Sequence, residues 1–118
     1  MTDVGEEVQS RWVRAASIES LPENKGVQCL LQGHDIALIR QGSKVYAINN
    51  LCPHQHIPIL SEASIEGTVL TCPMHGWRFD FVTGDCVHAS GRLRTYPVQL
   101  RDGTVYIQLP DESDDAVW

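Results

Sequence analysis

Apolar and polar residues alternate with a period of two along most of this chain. In VQCLLQ, Val27, Cys29 and Leu31 fall on one face, and in DIALIR, Ile36 and Leu38 share a face. KVYAINN follows DIALIR after the short turn QGS. A period of two is typical of half-buried β-strands. The pattern predicts strands here, the last two forming a hairpin.

A second hairpin is predicted near the C-terminal end of the chain. TYPVQL places Tyr96, Val98 and Leu100 on one face, and RDG separates it from TVYIQL, which alternates in the same way. An Asp-Gly pair favours a tight hairpin turn. Only SIESLPENK looks briefly helical, and Pro22 limits it. The sequence therefore predicts an all-β, antiparallel domain, either two small packed sheets or a compact barrel.

The length of 118 residues favours one domain, which we place at residues 11–109. Residues 1–10 are predicted to form a polar tail and residues 110–118 an acidic one. Between about residues 50 and 93 the chain is rich in Cys, His, Pro and Gly. This stretch predicts a loop-rich unit inserted into the β framework, with short strands at GTVLTC and WRFDF.

Charge and cysteine usage narrow the possible environments. The net charge of −6 disfavours binding to nucleic acid or to an anionic membrane and suits a basic partner. The chain shows no secretory signal and no apolar run long enough to cross a bilayer. We therefore expect a cytoplasmic protein with reduced cysteines, although the four cysteines would also allow two disulfides. They are Cys29, Cys52, Cys72 and Cys86.

Two segments of the loop-rich unit combine cysteine with histidine. CPH contains Cys52 and His54, CPMH contains Cys72 and His75, and 17 residues lie between the two motifs. A single Zn²⁺ accepts two cysteines and two histidines in a tetrahedron, but zinc motifs usually pair like with like. Mixed pairs also suit a two-metal centre, in which each loop gives its cysteine to one metal and its histidine to the other.

The two-metal arrangement resembles the Rieske iron–sulfur proteins, in which two histidines replace two cysteines on one iron of a 2Fe-2S cluster. The resemblance runs from about Trp12 to Leu109 and is carried by CPH, CPMHGWRFD, their spacing and the following TG. It implies a Rieske-like β-sandwich or barrel with a loop-rich cluster-binding insertion and one 2Fe-2S cluster per chain. A zinc-binding interaction module is the less favoured alternative.

By this resemblance, Cys52 and Cys72 bind the buried iron, and His54 and His75 bind the solvent-side iron. Four ligands leave no position for His56, which we expect to be a polar loop residue. The alternative is that His56 tunes protonation or docking beside His54.

The remaining cysteines and histidines are expected to lie outside the ligand set. We expect Cys29 to be a small core residue and Cys86 to be a packed or partly exposed thiol. His34 falls in the predicted turn QGHD and receives no role. His88 lies in VHASGRL, by resemblance the third loop approaching the cluster, and is a candidate for the docking surface.

At several positions this chain differs from particular subgroups of the Rieske proteins, and these differences indicate the subgroup that it resembles. Respiratory and photosynthetic members brace the cluster with a disulfide, where this chain has Ile57 and Met74. High-potential members have a serine that hydrogen-bonds a cluster sulfur, where this chain has Trp77. Without that hydrogen bond we expect a reduction potential near the low end of the Rieske range, about −150 mV. The third loop also contains no proline before Pro97, unlike many relatives, which alters the expected partner face.

The resemblance implies a soluble ferredoxin, a one-electron carrier between a flavin-dependent reductase and a terminal oxygenase. The alternative is the small subunit of an assimilatory NAD(P)H nitrite reductase, with a structural, regulatory or electron-transfer role and with that enzyme's large subunit as partner. The chain has no dinucleotide-binding glycine motif. We therefore expect no enzymatic activity of its own, although it would serve as a component of a multi-subunit oxidoreductase.

Overall fold

Ten strands are found in the part of the chain that the computed structural model describes, residues 11–52, 58–73, 76–87 and 91–109. The strands are β1 (Arg11–Ser17), β2 (Gly26–Leu31), β3 (His34–Gln41), β4 (Lys44–Asn49), β5 (Ser64–Glu66), β6 (Val69–Thr71), β7 (Arg78–Asp80), β8 (Thr95–Tyr96), β9 (Val98–Arg101) and β10 (Thr104–Leu109). They form three sheets, ordered β1-β10-β9, β2-β3-β4-β8 and β5-β6-β7. Every ladder between these strands is antiparallel, which confirms the predicted fold class.

The sheet β2-β3-β4-β8 lies between two hydrophobic cores. Residues 36–39 of β3 are all buried, because alternate side chains of a strand point to opposite faces and both faces are covered. Ile36 and Leu38 belong to one core, whereas Ala37 and Ile39 belong to the other. The β3–β4 hairpin, predicted from the alternation around QGS, therefore supports both halves of the molecule.

The sheet β1-β10-β9 covers one face of this central sheet through Val105 and Ile107. The predicted RDG hairpin is confirmed, with Asp102 and Gly103 at φ of 53° and 77° in a two-residue turn. Strand β1 was not predicted. Its register shifts between Arg14 and Ala16, and this irregularity interrupts the alternation that would identify a strand.

TYPVQL is not one strand, which corrects the prediction of a shared face. Pro97 divides it into β8, which pairs with β4, and β9, which pairs with β10. Proline has no N–H for a ladder and so marks the point where the chain leaves one sheet for the other. Tyr96 is buried, whereas Leu100 is exposed.

The third sheet, β5-β6-β7, lies within the stretch predicted to be loop-rich. GTVLTC and WRFDF supply β6 and β7 as predicted, whereas β5 was missed. The briefly helical segment is the 3-10 turn Ile18–Ser20. The turn before β3 is made by Gln32 and Gly33. His34 was predicted to lie in this turn, and the prediction is wrong, because His34 is the first residue of the strand.

Across the described ranges, no helix is long and apolar enough to span a membrane. The predicted tails, residues 1–10 and 110–118, lie outside the described residues.

Candidate metal centre

Cys52 and Cys72, which the sequence places 20 positions apart, share one hydrophobic core. Their exposures are 0% and 1%, and neither forms a disulfide. The core that surrounds them is built from the central sheet and from the third sheet. Its other buried members are Ala37, Ile39, Ile48, Leu60, Leu70, Phe79, Phe81 and Leu93.

The first predicted ligand loop leaves the central sheet at the end of β4. Its base is closed by a β-bridge between Leu51 and Pro58 and by a hydrogen bond from the Leu60 amide to the Asn50 carbonyl, 3.1 Å. Cys52 lies just inside this closure. The ends of the loop are therefore fixed by the protein, and the cysteine is held at the edge of the apolar core.

The second predicted ligand loop joins β6 to β7. The Cys72 amide donates to the Trp77 carbonyl at 2.8 Å, and the Gly76 amide donates to the Cys72 carbonyl at 3.0 Å. Gly76 has a φ of 72°, a left-handed conformation that favours glycine. Trp77 is half-buried and packs against the core that contains both cysteines.

A third loop follows β7 and is closed at Gly84. The Leu93 amide donates to the Gly84 carbonyl at 2.6 Å, and the Cys86 amide donates to the Gly91 carbonyl at 3.0 Å. Gly84 has a φ of 89°, and a Cβ added there would lie 2.7 Å from the Leu93 carbonyl oxygen. Cys86 is half-buried against the same core, which confirms the predicted packed or partly exposed thiol.

The histidine predictions fall on residues whose structure is not described. His54, His56, His75 and His88 lie outside the described ranges, as do Ile57 and Met74. Within those ranges, no group of three or more Cys, His, Asp or Glu could hold a metal. The full ligand set therefore stays a prediction.

The two cysteines fit the thiolate half of the predicted set. Thiolate is the protein ligand that iron–sulfur clusters use, and these two cysteines are outside any disulfide, buried together and carried by two loops with closed bases. Burial among apolar side chains also suits the inner side of a metal centre, because it keeps water away from the cysteine sulfurs.

Two asparagines at the end of β4 were missed by sequence reasoning. Asn49 and Asn50 are both buried, and the Leu51 amide donates to the Asn49 Oδ1 at 2.8 Å. Asparagine often caps a turn through its own side chain, so an NN pair between a strand and a CPH motif is a usable signal.

Cys29 and His34 lie away from the cysteine pair. Cys29 packs against the opposite core, with its Sγ 3.9 Å from the Ala15 carbonyl oxygen, and burial raises the pKa of its thiol. His34 contacts the ring of Tyr96 edge-on at 6.2 Å. Neither lies in the core that contains Cys52 and Cys72, which agrees with their exclusion from the predicted ligands.

Residues 11–97 match the family model described as the Rieske [2Fe-2S] domain. Among curated proteins, the chain is 33% identical to the ferredoxin component of the naphthalene 1,2-dioxygenase/salicylate 5-hydroxylase systems of Ralstonia sp., covering 83% of this chain and 95% of that protein. It is 31% identical to the 3-phenylpropionate/cinnamic acid dioxygenase ferredoxin subunit of Photorhabdus laumondii, covering 81% and 92%.

Solved structures agree in fold. The ferredoxin of Sphingomonas yanoikuyae B1 superposes with a TM-score of 0.75 at 29% identity, covering 83% of this chain and 98% of that one. The proposed NADH-dependent nitrite reductase small subunit of Mycobacterium tuberculosis superposes with a TM-score of 0.79, covering 85% and 96%. Its 21% identity supports a shared fold alone.

Proposed function

Because this chain belongs to the Rieske [2Fe-2S] domain family, whose cofactor is a 2Fe-2S cluster, we propose that it is a one-electron carrier serving a terminal oxygenase. The family match confirms the predicted Rieske-type ferredoxin and its cofactor, and it favours the cluster over the zinc alternative. The carrier role is supported by the burial of Cys52 and Cys72 in one core, because a one-electron carrier needs a centre held rigidly and shielded from water.

We assign Cys52 and Cys72 to the inner iron and His54 and His75 to the outer iron. When bound, the cluster takes up and releases one electron. The role of the two cysteines is supported by the burial of both in one core, outside any disulfide, at the bases of two closed loops. The role of the two histidines rests on their spacing from these cysteines in the sequence.

The residue after the second loop supports a low reduction potential. Trp77 is half-buried against the cysteine-containing core and has no hydroxyl with which to hydrogen-bond a sulfur. Removing such a bond destabilises the reduced, more negative centre. We therefore place the potential near the low end of the Rieske range, about −150 mV.

The proposed electron donor is a flavin-dependent reductase, and the proposed acceptor is a terminal oxygenase. The curated relatives described above are ferredoxin components of dioxygenase systems, and a solved complex of carbazole 1,9a-dioxygenase contains oxidized ferredoxin with reduced oxygenase. A net charge of −6 suits a basic docking surface on the partner. We place the protein in the cytoplasm, without enzymatic activity of its own.

The second candidate function is that of a small subunit of a nitrite reductase, acting with its large subunit. The superposition on the M. tuberculosis protein shows that this chain has the fold such a subunit would need, and shows no more than that. Electron transfer assays separate the two candidates, because the reduced protein should be reoxidised by an oxygenase in one case and by a nitrite reductase large subunit in the other.

The test of the carrier role is spectroscopic. Protein carrying its cluster should contain iron and sulfide in equal amounts and, after reduction with dithionite, give an EPR signal with the low average g of a mixed Cys/His cluster. Absence of this signal from iron-loaded protein would refute the proposal.

Substitutions test the ligand assignment. Cys72→Ser should lose the visible absorption of the cluster, because the change removes a buried thiolate ligand. His56→Ala is the control and should keep both the absorption and the EPR signal. Loss of iron from the His56→Ala protein would show that the ligands are misassigned.

A further inference from the structure

Asn50 is a fully buried polar residue that lies two positions before Cys52. Its backbone amide donates to the Asp35 carbonyl at 2.9 Å, and its carbonyl accepts from the Leu60 amide at 3.1 Å. Its side-chain Nδ2 donates to the Asp35 Oδ1 at 3.0 Å, and its Oδ1 accepts from the Ser61 amide at 2.6 Å. The backbone N–H and C=O of Asn50 and both polar atoms of its side chain therefore each have a protein partner.

These contacts join both ends of the first ligand loop to the central sheet. Asn50 lies at the start of the loop, and Leu60 and Ser61 lie beyond its end. Asp35 is the second residue of β3, an inner strand of the central sheet, and is half-buried. The side chain of Asn50 thus fixes the separation of the loop ends, within which Cys52 and His54 are found.

The partners of Asn50 allow its amide only one orientation. The Ser61 N–H can only donate a hydrogen bond, so the Oδ1 of Asn50 must face Ser61 and its Nδ2 faces the carboxyl oxygens of Asp35. Asp35 is held in turn by the Nε2 of Gln28, at 3.0 and 3.1 Å from its two oxygens. An aspartate at position 50 would have the same shape but would place a second carboxylate against the first.

We propose that Asn50 is a positioning residue for the metal centre, acting through the Asp35–Asn50–Ser61 hydrogen bonds to fix the first ligand loop. Its contribution is to hold Cys52 in one arrangement in both oxidation states, which sets the reduction potential and slows loss of the cluster. This inference rests on the proposed ligand role of Cys52.

The test compares cluster-loaded N50D, D35N and the double variant N50D/D35N at pH 8. In N50D the facing carboxylates should spread the first loop, broaden the EPR signal and speed removal of iron by a chelator about tenfold, the factor expected for one disrupted buried hydrogen bond. D35N should be milder, because Asn50 keeps its bond to Ser61.

The double variant exchanges donor and acceptor while keeping the net charge of the wild type. It should therefore recover the wild-type line shape, potential and chelation rate. Gln28→Ala is the control, because it removes the exposed side-chain partner of Asp35 but leaves the hydrogen bonds of Asn50 to Asp35 and Ser61 in place, and it should lie closer to the wild type than D35N does.

Two results would overturn the proposal. One is an N50D protein with lowered thermal stability but wild-type g values, line widths and chelation rate, which is the signature of a purely structural residue. The other is a double variant no closer to wild type than N50D. If N50D does not fold, D35A provides the same test, with a broadened signal expected. Absence of the EPR signal from the wild type would instead count against the proposed function itself.

Discussion

Replacing Leu70 with alanine should speed the loss of the cluster more than the same replacement at Leu38. Leu70 is fully buried on β6 and shares its core with Cys52 and Cys72. Leu38 is also buried, at 1% exposure, but faces the opposite core across the central sheet. The pair therefore separates damage to the metal-binding core from damage to the fold as a whole.

The two substitutions should lower the free energy of unfolding by similar amounts. Leucine to alanine removes three carbons, at about 0.8 kcal/mol for each buried methylene, and leaves a cavity that adds to this loss. β6 is the central strand of its sheet and β3 an inner strand of its own, so neither site can collapse easily. We expect about 3–4 kcal/mol for each variant, out of a total of about 5–15 kcal/mol for an ordinary domain.

Urea unfolding followed by far-ultraviolet circular dichroism gives the free energy of each variant, and visible absorption during incubation with a chelator gives the rate of cluster loss. When the two variants have similar free energies of unfolding, Leu70→Ala should lose the cluster faster than Leu38→Ala. The reason is that Leu70 packs in the core around the cysteines and Leu38 does not. Equal rates of cluster loss would refute the view that the two cores act separately.

Two further predictions concern a turn and a thiol. Gly84→Ala should lower the free energy of unfolding more than Gly33→Ala: both glycines have a φ of 89°, but only at position 84 would the new Cβ lie 2.7 Å from a carbonyl oxygen. Equal losses in urea unfolding would show that this contact relaxes without cost. Burial raises the pKa of Cys29 above its ordinary 9.0, so the thiol form is favoured in the folded state and its stabilising contribution is lost as pH rises above 9.0. Cys29→Ala should therefore weaken the alkaline decline in stability between pH 8 and 10, and an unchanged decline would contradict this linkage.

Local patterns in the sequence predicted the hairpins and the metal-binding motifs, because strand alternation, Asp-Gly turns and Cys/His spacing are short-range signals. The division of TYPVQL was missed because it depends on which strand lies beside Pro97, not on the alternation itself. The Asp35–Asn50–Ser61 hydrogen bonds were missed for a similar reason. Its side-chain partners, Asp35 and Ser61, are 15 and 11 positions away along the chain.

The core that contains Cys52 and Cys72 depends on the β framework and is not confined to the Cys/His-rich stretch. Ala37 and Ile39 of β3 and Ile48 of β4 complete the core around the two cysteines, while the neighbouring residues of the same strands pack against the opposite core. An isolated peptide of residues 50–93 would lack these side chains and the Asp35 anchor of the first loop. Since buried apolar contacts supply most of the stability of a small domain, such a peptide should not hold the two cysteines together. The sequence motifs predict the ligands of the centre, but the β3–β4 hairpin should determine whether the two cysteines come together.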